Sequence, residues 1–282
     1  MGQNDVLIES LRSYYPQRNE PNFAWKSAVS CYLQLPVLRG FWPMSGSSSA
    51  GSAVDMSHIG LNLTANGAFV YTCGGGDSIG PGTNGRQFGL APAVNLEATS
   101  AWLSFANNAN LDITGLDGFV TPSLRGLTLG CWIWIYPVTP GNFLGAVAKA
   151  NFAGNQFSYA LGMGAAGATA SFLVSATGNP GTSLVAVNSP GALPQEQWVF
   201  LAARFDPSTE SAIWVDKEKT VNTTAIPASI FNSTAPFTVG RMESTGRALP
   251  AFYSNVFLCA AAVPDFTINA LYEQTKAMYG HG

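Results

Sequence analysis

Charge is what this sequence has least of. Asp, Glu, Lys and Arg together make up 10% of 282 residues, with 13 basic and 16 acidic side chains, against the usual quarter. A polyanionic partner needs Lys and Arg gathered on one face. Here the basic residues are scattered, so nucleic acid is not an expected partner. Histidine is scarcer still, at two residues, His58 and His281. A histidine-based triad or zinc site would have to use one of them. His58 sits in a turn-like Asp-Met-Ser-His-Ile-Gly, and His281 is next to the end. The four cysteines, Cys31, Cys73, Cys131 and Cys259, are far apart. No Cys-x-x-Cys pair exists to make a zinc knuckle or a redox motif.

Every long apolar stretch is broken by Gly, Pro or a polar residue, so no membrane insertion is expected. The opening MGQNDVLIESLRSYYPQRNE has no basic start, apolar stretch or small-residue cleavage site, so it does not read as a secretory signal. With Met1 in place, the expectation is cytoplasmic synthesis and free cysteine thiols. Catalytic patterns are missing too. Glycosidases need two carboxylates facing one cleft, and the glutamates here are isolated beside turns. Gly74-Gly75-Gly76-Asp77 is not followed by the Lys-Ser/Thr and helix of a phosphate loop. The chain is expected not to be an enzyme, and to work by holding or binding something.

What is plentiful is apolar residues, at 47%, and turn formers, with 30 Gly and 17 Pro. Short apolar runs recur between turns: 101–106, 127–137, 143–149, 156–163, 170–176, 183–188, 197–206, 211–217, 235–241 and 252–263. Runs of this length, separated by turn residues and without intervening helices, predict an all-β sandwich. In Trp132-Ile133-Trp134-Ile135-Tyr136 both faces are apolar, as in a strand covered on both sides. Ile268, Leu271, Tyr272, Thr275 and Tyr279 lie at helical spacing. Asp265 is placed to cap that helix and Gly280 to end it, and the helix is expected to close an edge or mouth of the sandwich. Residues 1–36 read as an N-terminal arm, with Leu7, Leu11, Tyr14 and Tyr15 as assembly contacts and 21–36 extended. Residues 37–282 read as the sandwich domain.

The order of motifs resembles the concanavalin A-like, laminin-G-like jelly roll, in the branch found in phage virion and bacterial surface proteins. Gly40-Phe41-Trp42-Pro43-Met44-Ser45-Gly46, Asp55-Met56-Ser57 and Leu61-Asn62-Leu63-Thr64 match its opening. Trp102-Leu103-Ser104-Phe105, Asn110-Leu111-Asp112-Ile113 and Leu127 to Pro137 follow in order. Ala148-Lys149 fits its "Ser-Lys" position. Trp198 to Asp206, Ala212 to Asp216 and Phe237-Val239-Gly240 fit its later strands, and Ile268 to Tyr279 its last helix. Three departures stand out: Met44-Ser45 in place of Phe/Leu-Asp, Lys217 in place of a glycine, and Tyr253-Ser254-Asn255-Val256 in place of a strand carrying two acids.

The resemblance implies a two-layer antiparallel jelly-roll sandwich with a short C-terminal helix. It also implies that any calcium would be held by loop carboxylates at one rim, for which Asp55, Asp112, Asp206 and Asp216 are the candidates. The lost acids weaken that site, and no other cofactor is implied. Tryptophans are candidates to stack on sugar rings, and Trp25 and Trp102 are the two placed to be exposed. Low charge, the arm and the branch of the resemblance lead to the expected function. That function is a structural virion protein of a bacteriophage (decoration, head-fibre or tail-associated), located in the virion, with other virion proteins and copies of itself as partners. The alternative is a lectin-like module that attaches to a cell-surface glycan.

Overall fold

A computed structural model of the chain describes residues 29–44, 52–67, 70–72, 93–97, 101–116, 125–242 and 247–281. Strands β1 to β8 are Leu38–Trp42, Ser52–Ala53, Leu63–Asn66, Val70–Thr72, Ala93–Leu96, Trp102–Phe105, Leu127–Ile135 and Leu144–Asn151. Strands β9 to β16 are Gln156–Met163, Thr169–Ser175, Leu184–Ala192, Trp198–Asp206, Glu210–Val215, Glu218–Asn222, Phe237–Val239 and Ala251–Cys259. They pair antiparallel into two eight-stranded sheets. The first runs β14-β13-β12-β7-β16-β5-β4, with β1 also on β16. The second runs β11-β10-β9-β8-β15-β6-β3-β2. The expected all-β, two-layer sandwich with a C-terminal helix is the observed fold.

Alternation along the strands builds the inner core. Leu129, Cys131, Ile133 and Ile135 of β7 and Val199, Leu201, Ala203 and Phe205 of β12 face Tyr159, Leu161, Met163, Phe172 and Phe237 of the other sheet. Every residue of β7 is buried, because its second face is covered too. Burial pushes the Cys131 and Cys259 thiols up, so neither presents a reactive thiolate. Strand β16 changes partner along its length. It pairs with β5 at Ala251 to Tyr253 and with β1 at Val256 to Cys259. Asn255 sits at the changeover with φ 47, a left-handed conformation that asparagine tolerates better than most residues and that suits a bulge.

The outer face of the first sheet is covered by the helix α1 (Asp265–Thr275) and the turn after it. This corrects the expected position at an edge or mouth. Ile268, Leu271, Tyr272, Met278 and Tyr279 pack on Trp132, Trp134, Phe200 and Trp214. The sheet presents aromatic rings outward, so a helix with one apolar stripe gains most by lying across them. Asp265 is not the cap, since Pro264 holds that position and no side chain caps the helix. Gly280 ends the following turn with φ 81, as its type allows.

Residues 29–33 are helical, not extended as expected from the sequence. Tyr32 is buried, and its ring stacks on Phe41 at 4.8 Å. Leu7, Leu11, Tyr14, Tyr15, Trp25 and Cys73 lie outside the described residues.

Candidate functional site

The two outer faces differ. Of the six tryptophans among the described residues, Trp42, Trp132, Trp134, Trp198 and Trp214 are buried, whereas Trp102 is partly exposed. Trp132 illustrates the sealed face. Its ring stacks on Tyr279 at 4.1 Å, and its indole N–H donates to Thr275 Oγ1 at 2.8 Å. Nearby, the Tyr279 hydroxyl lies 2.7 Å from Ser254 Oγ and accepts from Asn255 Nδ2 at 2.9 Å. His281 Nε2 lies 2.6 Å from the Trp198 carbonyl oxygen, so this histidine is used to fasten the chain end. The start of α1 is held by charge. Arg204 pairs with Glu210 and, at 2.6 Å, with Asp265, while Lys219 reaches Glu210 at 3.2 Å and Asp265 at 2.9 Å.

Trp102 belongs to the outer face of the second sheet. On β6 its neighbour Leu103 points into the core, so Trp102 and Ser104 point out. Asn66 is its cross-strand partner on β3. The Asn66 amide donates to Ser104 Oγ at 2.9 Å, fixing a polar edge beside the indole. The Arg241 guanidinium lies 3.8 Å from the Trp102 ring centroid, and its Nε donates to the Met242 carbonyl at 3.2 Å. A second stack lies further across the same face, where the Arg247 guanidinium sits 4.1 Å from the Phe152 ring centroid. Phe152 meets Phe157 edge-on at 5.0 Å. Phe143, Phe157 and Met242 form the small apolar cluster beneath these groups. Partly exposed aromatics beside fixed polar groups suit the recognition of an amphipathic ligand.

Trp102 was visible in the sequence as a candidate. Arg241, Arg247, Phe152 and Asn66 were not. Each arginine reaches its ring from a distant part of the chain, and no local pattern marks such a pair.

The four candidate calcium ligands are not brought together. Asp55 is buried, and its oxygens accept from the Phe41, Ser57 and Leu61 backbone N–H groups and from Ser57 Oγ at 2.7 to 2.9 Å. It anchors a turn. Asp112 faces Lys149 Nζ at 3.2 Å. That ammonium is fully buried and also donates to Asn107 Oδ1 and to the carbonyls of Ser233 and Ala235. Burial pulls the lysine's pKa down, and Asp112 opposes that. Asp206 and Asp216 lie beyond opposite ends of β13, roughly 20 Å apart at strand spacing. Asp216 Oδ1 accepts from the Phe200 N–H at 2.9 Å, and burial raises the pKa of both carboxyls. Among the described residues no group of three or more His, Cys, Asp or Glu is placed to hold a metal ion.

Two packed antiparallel sheets with a helix across one of them define a jelly-roll sandwich domain. The family model for the concanavalin A-like lectin/glucanases superfamily matches residues 98–263. The chain belongs to that superfamily. No curated protein matches it.

Solved structures do match it in fold. The binding domain of Paraclostridial mosquitocidal protein 1 is similar with TM-score 0.59 and 9% identity, over 83% of this chain and 51% of that one. A structure of botulinum neurotoxin type C, whose cell entry depends on interaction with two ganglioside molecules, is similar with TM-score 0.56 and 12% identity, over 84% and 51%. The binding domain of botulinum neurotoxin DC in complex with SialylT gives TM-score 0.55 and 11% identity, also over 84% and 51%. The chain thus spans about half the length of these solved chains.

These matches correct the expectation of a bacteriophage structural protein. They are binding domains of bacterial toxins, not decoration, head-fibre or tail-associated virion proteins. The motif order behind that expectation belongs to the sandwich shared across the superfamily. It says nothing about a phage particle.

Proposed function

We propose that this domain is a carbohydrate-binding module that attaches to a glycosylated surface through the outer face of its second sheet. The observation that carries the reading is the contrast between the tryptophans. Five of those described are sealed in cores, and Trp102 alone is left partly open, flanked by Arg241, Asn66 and Ser104. An indole offers a flat apolar surface for the C–H face of a sugar ring, and polar neighbours fix the orientation of its hydroxyls. Membership in the lectin/glucanases superfamily supports the reading. So do the ganglioside and SialylT named with two of the toxin structures, although those ligands belong to chains of which this one covers only about half.

The test is a glycan array with the whole chain, followed by titration calorimetry on any glycan bound. Trp102→Ala should weaken that binding at least tenfold and leave the melting temperature nearly unchanged. Binding that survives Trp102→Ala at full strength would place the site elsewhere. An array with no bound glycan would sink the reading itself.

A further inference from the structure

We infer that the outer face of the second sheet selects glycans that carry a carboxylate, a sialic or uronic acid, through Arg241 and Arg247. This deepens the carbohydrate-binding reading and rests on it. The first observation is how the cations are used. Lys149, Arg204, Lys219 and Lys276 each have a carboxylate within ion-pair distance. Among the described residues Arg125, Lys217, Arg241 and Arg247 have none, and of these only Arg241 and Arg247 lie over an aromatic ring. Their protein contacts are one backbone carbonyl each, Met242 for Arg241 and Phe143 for Arg247, together with an aromatic ring each.

The second observation is their placement. The two arginines stand on facing legs of one segment, where Arg241 pairs with Ala248 and the Met242 N–H donates to the Arg247 carbonyl at 3.3 Å. Residues 241–242 and 247–248 lie on the outer face, with Met242 in the apolar cluster there and the Gly145 N–H donating to the Arg247 carbonyl at 3.0 Å. Their rings come from different strands. Trp102 is on β6, and Phe152 directly follows β8. Strand β15 lies between those two, and its registers put Trp102 level with Ala146, six residues before Phe152, so the two ring positions stand roughly 20 Å apart. Each arginine with its ring is therefore a subsite of its own.

The chemistry then favours one ligand class. A guanidinium held over a ring is restrained before any ligand arrives, and its planar fork matches a carboxylate in two parallel hydrogen bonds. The part of the ring that the guanidinium leaves open takes the apolar side of the same sugar. Two arginines within a chain of net charge −3 do not make the basic stripe that a long polyanion requires. The recognised group is therefore a single acidic sugar rather than a sulfated polymer.

The experiment compares matched pairs by saturation-transfer NMR and calorimetry: 3′-sialyllactose against lactose, and a glucuronic acid-terminated disaccharide against its glucose-terminated partner. Heparin oligosaccharides of increasing length form a third arm. The acidic member of at least one pair should bind tenfold or more tightly than its neutral partner. Arg241→Gln and Arg247→Gln should each remove one of two acid-selective sites, read as half the binding stoichiometry, and the double variant should abolish the preference; Arg241→Lys should restore its site only in part, since an ammonium lacks the fork. A melting curve confirms that each variant is folded, and either arginine alone suffices for the test. Equal binding within both pairs would overturn the acidic specificity and leave the carbohydrate reading standing. Affinity for heparin that rises with chain length and exceeds that of every acidic disaccharide would also overturn it. No binding to any member would overturn both readings together.

Discussion

The two sheets share a core, and the outer face of the second, sealed at Phe157 and Ala160, is left open at Trp102 where that of the first is covered throughout its rings. The first sheet turns Trp132, Trp134, Phe200 and Trp214 outward and covers them with α1, the turn after it and the helical stretch at 29–33. The second turns Trp102, Ser104, Thr64 and Asn66 outward and leaves them at least partly exposed. Aromatic content alone therefore does not mark a binding face. What distinguishes the two is whether the chain itself supplies the partner for the rings. On the first sheet it supplies Tyr272 and Tyr279. On the second it supplies arginines, which hold a ring in place and keep a charged edge toward solvent.

The largest test of this contrast is Trp132→Ala. Removing a fully buried indole should cost about 3–5 kcal/mol, seen as a large drop in the denaturant midpoint, while glycan binding by the folded fraction stays intact. A small loss would mean that the helix closes over the gap and the face is less tightly built than described. Tyr279→Phe comes next. It removes a buried hydroxyl shared by Ser254 and Asn255 and should cost about 1 kcal/mol, measured by the same denaturation.

Acid should loosen the covered face in particular. Burial raises the Glu210 carboxyl, but hydrogen bonds from Arg204 and Lys219 outweigh it and hold it below the ordinary 4.5. Burial likewise raises Asp265, and its contacts with Lys219 and Arg204 hold it below 3.8. Both folded values are depressed. Their contribution is thus full above those ordinary values and lost as pH falls through the folded ones. Because Asp265 is half exposed, solvent screens its share and the effect stays small. Near-UV circular dichroism of the tryptophans should weaken below about pH 4 before the far-UV β signal changes. Loss of both signals together would show that the covering helix is not a separate unit. The smallest effect on stability is expected from Trp102→Ala, within about 0.5 kcal/mol. A loss as large as that of Trp132→Ala would erase the distinction between the faces.

Much of the sandwich was legible in the sequence, and the gaps have physical causes. The strands from β7 to β13 announce themselves because their buried faces need Trp, Ile, Leu and Val at short intervals. Strand β14, Glu-Lys-Thr-Val-Asn, gives no such signal. It lies at the end of its sheet and is mostly open to water, so nothing requires it to be apolar. The C-terminal helix was legible as a helix, but its location was not. Periodicity shows that Ile268, Leu271 and Tyr272 share a stripe, and it does not show which surface the stripe meets. Asp55 and Asp112 read as possible ligands because a carboxylate near a turn looks the same whether it binds an ion, backbone N–H groups or a lysine. Only the surroundings separate these cases, and Lys149 comes from a strand well removed from Asp112.

The pairing of β1 with β16 sets a condition on how the chain folds. Leu38 lies opposite Cys259, so this seam can form only after nearly the whole intervening chain has been brought back on itself. Such distant pairings make folding slow, on the scale of milliseconds to seconds for β-rich domains. The covering helix follows β16 in sequence and needs β7, β12 and β13 in place as its floor. Until then the rings of Trp132, Phe200 and Trp214 stand in water as a broad sticky surface, open to self-association. The most crowded part of the finished molecule is thus its greatest hazard during refolding. Dilution or low temperature in that interval should raise the yield more than any change in the final buffer.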